Sequence, residues 1–133
     1  MTDSIDTNVV LRYILNDIPE QKQKIVDFLN NDGSTHYFSN QALLEAIYVL
    51  EKEYDVGRDK IAAAINFFLT RYDGIVSYDS ELTKIAFPLY LAHPKLSWVD
   101  CALAAEAEVR HREPLMTFDQ KLANQVASAK LVG

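Results

Sequence analysis

Residues 35–50 read THYFSNQALLEAIYVL, and the two halves of this stretch follow different periods. THYFS is short, aromatic and β-branched, the composition of a strand. From Asn40 to about Tyr54 the apolar residues recur at helical spacing, so a strand passes directly into a helix. Within that helix Glu45 is a lone carboxylate among neighbours that are apolar or nearly so. If the helix packs into a core, an unpaired buried carboxylate costs several kcal/mol, a large share of the ~5–15 kcal/mol that holds a domain together. The nearest following cation is Lys52, two turns away on the same face. Glu45 is therefore expected to be buried and to need a long-range partner.

The same switch of period recurs on both sides. Ser4-Ile5 is a short strand ending at Asp6, and Val9, Val10, Tyr13 and Ile14 then follow a helical spacing. Pro19 opens a helix over 19–29 whose apolar face is Ile25, Phe28 and Leu29, and the run Asn30, Asn31, Asp32, Gly33 stops it. A helix over 58–72 follows Gly57, then a strand over 75–78, then a helix from Ser80 towards His93 that Pro88 should kink. A helix over 98–112, a strand over 115–118, a helix over 119–129 and a strand over 130–132 complete the pattern. Strands alternating with helices predict an α/β fold: a mostly parallel, roughly five-stranded sheet covered on both faces. At 133 residues the chain is expected to form one domain over 1–133.

Composition narrows the chemistry. The 49% hydrophobic and 24% charged fractions are those of a soluble globular protein without low-complexity tracts. A net charge of −6 argues against a broad electropositive nucleic-acid surface while permitting a local one. The single cysteine excludes an internal disulfide, leaves a Cys-rich zinc site without ligands, and suits a reducing cytoplasm. The opening MTDSIDTNVVLRYIL lacks a basic segment and a small-residue cleavage site, and apolar runs such as 61–70 are shorter than the ~18 residues of a membrane span. A cytosolic protein with no membrane segment is expected.

In parallel sheets functional groups gather beyond the carboxyl ends of the strands. Asp6 and Asp119 directly follow strands, Asp100 lies in the first turn of the helix in LSWVDCALAAEA, and Glu45 lies in the second turn of its helix. Each Asp has an alternative use, Asp6 and Asp119 as helix caps and Asp100 in a capping box with Ser97. Glu45 is the hardest to explain in that way. Together the four acids fall on one edge of the expected sheet. Oxygen ligands without Cys or His suit a hard cation, Mg²⁺ or Mn²⁺, which can activate a water and neutralise a phosphodiester.

These motifs resemble the PIN-domain family, and within it the small VapC-type toxin ribonucleases of toxin–antitoxin pairs. IDTNVVLRYIL is similar to the family's opening strand and D-x-N motif, LLEAIYVLE to its internal Glu helix, WVDCALAAEA to its third acidic motif and LMTFDQKLA to its closing T-F-D motif. The resemblance spans nearly the whole chain. It implies a three-layer α/β/α sandwich, a Mg²⁺- or Mn²⁺-dependent endoribonuclease acting on RNA, a cognate antitoxin and a homodimer. Carried over by position, Asp6, Glu45 and Asp100 would be the central metal-site and catalytic acids, Asp119 the fourth, and Asn8 and Thr117 polar supports. The strand MTDSI is more polar than the family's usual opening run.

Other residues carry weaker expectations. His36, His93 and His111 lack ligand spacing, and Cys101 should be a small buried side chain. Tyr48, Phe67, Phe68 and Trp98 are expected in the core or a dimer contact rather than stacked on bases. Arg12, Lys121 and the cluster Arg110, His111, Arg112 are candidates for contacts with RNA phosphate. Two other functions compete with the nuclease: a non-catalytic module of the same fold working through a protein partner, and a phosphotransfer domain with Asp6 as nucleophile. The latter needs a second Asp where this chain has Asn8.

Overall fold

The computed structural model describes every residue except Met1, Asp32 and Tyr78. The chain forms two compact units, Met1–Tyr78 and Asp79–Gly133. In the first, the elements are β1 (Thr2–Ser4), α1 (Thr7–Leu15), α2 (Pro19–Leu29), β2 (Thr35–Tyr37), α3 (Asn40–Lys52), α4 (Arg58–Arg71) and β3 (Ile75–Val76). The strands are parallel in the order β1-β2-β3, with Thr2 opposite Thr35 and His36 opposite Ile75. The second contains α5 (Ser80–Ala92), α6 (Trp98–Val109), β4 (Leu115–Thr117), α7 (Gln120–Gln125) and β5 (Ala129–Leu131). There β4 and β5 pair in parallel, Leu115 opposite Ala129.

Every expected helix and strand is present, and the differences lie in pairing and in ends. Instead of one five-stranded sheet, the strands bond as a set of three and a set of two. The edge strand β1 has three polar, exposed residues, so it offers no apolar face that would fix a further strand in register beside it. The first strand also begins earlier than expected, although the Ile5 N–H still donates to the Tyr37 carbonyl at 2.9 Å. The last helix ends at Gln125 because Ala129 is taken into β5. The helix with Pro88 continues through it to Ala92. Residue 78, the expected end of the third strand, lies outside the described residues.

With strands this short, helical faces carry the burial. In the first unit Val10 and Leu11 of α1, Leu43, Ile47 and Leu50 of α3, and Ile61, Ile65 and Phe68 of α4 are buried. The Tyr13 ring lies 5.2 Å from that of Phe68 and 5.8 Å from that of Tyr72. Of the expected α2 face only Leu29 is buried. Phe28 instead lies against the imidazole of His36, with ring centres 4.4 Å apart. His36 itself is buried, and its Nδ1 meets the carboxylate of Asp3 on β1. In the second unit Phe87 and Tyr90 of α5 enclose Trp98 of α6 at 4.7 and 5.5 Å, and buried Cys101, Ala104 and Ala105 let the helices approach. Among the described residues no helix is long and apolar enough to cross a membrane.

Two predictions follow from the first unit. A Cβ at Gly74 would sit 2.5 Å from the Ser34 backbone carbonyl, so Gly74→Ala should cost about 1–3 kcal/mol in urea unfolding; unchanged stability would show that the two loops are not so close. Burial, reinforced by the hydrogen bond from Tyr72, pushes the Tyr13 hydroxyl from its ordinary value of 10.0 up to about 12. The neutral phenol is the form the fold favours, so its contribution is complete below pH 10 and disappears as pH rises towards 12. Tyr13→Phe should flatten the loss of stability over that window.

Candidate functional site

In the first unit the carboxyl edge of the sheet holds the start of α1 and the first turns of α3. Asp6, in extended conformation directly after the β1 ladder, caps α1: its Oδ1 accepts the Thr7 N–H at 2.8 Å. Ser39 caps α3 by accepting the Ala42 N–H at 3.1 Å. These two caps set the direction in which each helix leaves the sheet. The buried Thr7 hydroxyl then donates to Glu45 Oε2 at 3.3 Å, so Asp6 and Glu45 are separated by one residue and one hydrogen bond.

Glu45 is exposed, contrary to the expectation of a buried charge. The buried stripe of α3 is Ala42, Leu43, Ala46, Ile47 and Leu50. Glu45 lies outside that stripe, as do the exposed Leu44 and Tyr48. Its charge remains hydrated and carries little desolvation cost, so no long-range countercharge is needed for stability.

In the second unit Asp100 completes a capping box: Ser97 Oγ accepts the Asp100 N–H at 3.1 Å and Asp100 Oδ2 accepts the Ser97 N–H at 3.2 Å. Asp119 follows β4 and caps α7, its Oδ1 accepting from Lys121 at 2.9 Å and Leu122 at 3.3 Å. Thr117 Oγ1 accepts the Asp119 N–H at 2.9 Å, which fixes the turn that presents this carboxylate.

A common pattern emerges. Each acid uses one oxygen in the fold: Oδ1 of Asp6, Oε2 of Glu45, Oδ2 of Asp100 and Oδ1 of Asp119. The other oxygen of each has no protein partner, and no Lys, Arg or His pairs with any of the four, among the described residues. Carboxylate oxygens without a cationic partner are the donor type that Mg²⁺ and Mn²⁺ take. The structure brings Asp6 and Glu45 together through Thr7. Among the described residues it groups no three His, Cys, Asp or Glu side chains closely enough to hold a metal ion.

The remaining candidates are distributed more widely. Asn8 and Arg12 line a groove of about 280 Å³ with Val9, Gln21, Lys24 and Ile25. The Arg12 guanidinium pairs with Asp17, which raises the arginine further and holds the Asp17 carboxyl below its usual range. Its charge is thus already compensated locally. Lys121 is exposed and has no ion pair among the described residues. Arg110 pairs with Asp79 at 2.9 Å. A larger cavity of about 420 Å³, lined by residues that include Ser34, Thr35, Arg71 and Gly74, lies at the amino ends of β2 and β3, away from the acids of this unit.

Phe118 is 83% exposed. Its place in an apolar run, LMTF, suggests burial, so only the structure distinguishes it. Phe68, Trp98 and Cys101 are buried as expected, whereas Tyr48 is 58% exposed and Phe67 is exposed as well.

Parallel strands joined by helices, with Asp6 after β1 and Glu45 near the start of α3 in the first unit, and Asp119 after β4 and Asp100 near the start of α6 in the second, define an α/β protein in which each unit carries two acids near helix starts. The PIN domain family model matches residues 4–127, and the chain belongs to the PIN domain family. Members of that family are generally nucleases and generally depend on divalent metal. Among solved structures the chain is similar to the crystal structure of VapBC2 from Rickettsia felis bound to a DNA fragment from their promoter. Identity is 16%, 98% of each chain is covered and the TM-score is 0.41. No curated protein matches the chain.

Capping and charge can be separated at Asp119. Asn caps as well as Asp, so Asp119→Asn should leave thermal stability within about 0.5 kcal/mol, whereas Asp119→Ala should lose about 1 kcal/mol. Equal destabilisation by both would mean that the charge itself holds α7.

Proposed function

We propose that this protein is a Mg²⁺- or Mn²⁺-dependent endoribonuclease, one PIN-like nuclease domain over 1–133, serving as the toxin of a toxin–antitoxin pair. The observation that carries the proposal is the division of labour within each acid, one oxygen committed to the fold and the other left without a protein partner. Asp6 and Glu45, linked through Thr7, would hold the cation from the first unit, and Asp100 and Asp119 are assigned the same role from their sequence motifs. When bound, the ion would supply an activated water and neutralise charge on a phosphodiester.

The chain's own groups do the positioning. The cap at α1 fixes the Asp6 carboxylate, and the Thr7 hydroxyl orients Glu45. The Thr117 hydroxyl fixes the turn before α7. Such outer hydrogen bonds keep ligand oxygens in place. Asn8 is assigned a supporting polar role near Asp6. Lys121 offers an uncompensated charge to RNA phosphate, and Arg12 could do so only by leaving Asp17. The proposal includes a cognate antitoxin and a homodimer, which the VapC-type motifs imply, and a cytoplasmic location, which the single cysteine suits.

Glu45→Gln tests it. RNA cleavage with Mg²⁺ or Mn²⁺ should fall by more than the ~10–100-fold typical of losing an outer-shell partner. Because Glu45 is exposed, stability should stay within about 0.5 kcal/mol. Full cleavage by the variant, or none by the unaltered protein together with harmless expression in the absence of antitoxin, would overturn the proposal.

A further inference from the structure

Phe118 is the most exposed large apolar side chain among the described residues, at 83%. It has no ring contact there. It stands between β4 and Asp119, which caps the following helix. Neighbouring positions share its character: Met116 is 49% exposed and Val132 is 46% exposed. The β4/β5 ladder sets Met116 opposite Lys130, and the Val132 N–H donates to the Thr117 carbonyl beside Phe118 at 3.0 Å. Lys121 lies three residues further along the chain. Lys121 and Lys130 are both exposed and neither has an ion pair among the described residues.

A bare aromatic face with two uncompensated ammonium groups nearby matches the two needs of a single nucleic-acid strand, a surface for a base and cations for its phosphates. The ring needs an unpaired base, because the bases of a duplex are already stacked. These two lysines flank Phe118 and Asp119 in a chain whose net charge of −6 would otherwise repel RNA.

We propose that Phe118 is a stacking platform for one unpaired base of a single-stranded RNA, with Lys121 and Lys130 holding the adjoining phosphates. This rests on the ribonuclease proposed above and specifies its substrate as a single strand whose unstacked base lies beside Asp119. Stacking is indifferent to base identity, so Phe118 sets strand preference and position rather than sequence.

The test uses the full chain and an unstructured oligoribonucleotide that carries a fluorescent adenine analogue, titrated in EDTA and again with magnesium. The unaltered protein should prefer this strand to the same RNA in a duplex, and binding should quench the analogue at one position. Phe118→Leu should weaken single-strand binding by at least about fivefold and abolish the quench, while Phe118→Trp should keep both. Lys130→Gln should weaken binding without removing the quench. Leucine and tryptophan variants that bind and quench like the unaltered protein while RNA is still cleaved would overturn this proposal alone. So would a Phe118→Leu variant whose only change, by sedimentation, is from dimer to monomer. Failure of the unaltered protein to bind or cleave RNA under either condition would overturn both this proposal and the ribonuclease reading.

Discussion

The position of Asp6 depends on how β1 is held against β2, and β1 has no apolar surface to hold it. Thr2, Asp3 and Ser4 are all exposed. Polar cross-strand pairs take the place of burial: the hydroxyl of Thr2 meets that of Thr35, and the carboxylate of Asp3 meets His36 directly opposite. The Ile5 N–H continues the ladder to Tyr37. A slip of one residue would break both side-chain pairs and move Asp6 by roughly 3.3 Å. The Thr7–Glu45 hydrogen bond would be lost with it. The arrangement has a cost at His36, whose buried Nε2 has no hydrogen-bond partner among the described residues.

The alternation of strands and helices was legible because each element changes period sharply at a cap or turn residue. Asp6, Ser39, Gly57, Ser97 and Asp119 all stand immediately before helices. The pairing of the strands was not legible, since two or three residues of mixed polarity do not encode which edge accepts a neighbour. Glu45 shows a second limit. In ALLEAIYVL nearly every position is apolar, so periodicity alone does not choose the buried face. Contact with α1 and α4 buries Leu43 and Ile47 and leaves Leu44, Glu45 and Tyr48 outside. The same ambiguity concealed Phe118, which is apolar in sequence and exposed in the fold.

Helix capping alone does not account for the acids. Where the chain needs only an acceptor, it uses a neutral hydroxyl: Ser39 caps α3 and Ser97 caps α6. Serine or asparagine would serve α1 and α7 about as well as aspartate, yet Asp6 and Asp119 occupy those caps and Asp100 is added to a helix that Ser97 already caps. Glu45 caps nothing, and its removal from the hydrated surface would not expose a buried partner charge. Capping needs an acceptor rather than a charge at Asp6 and Asp119, and all four carboxylates count within the chain's net charge of −6. Asp6 and Glu45, linked through Thr7, are like charges whose repulsion a cation would relieve. The hydrogen bonds explain how each carboxylate is aimed, and the proposed metal supplies a reason for each to be charged.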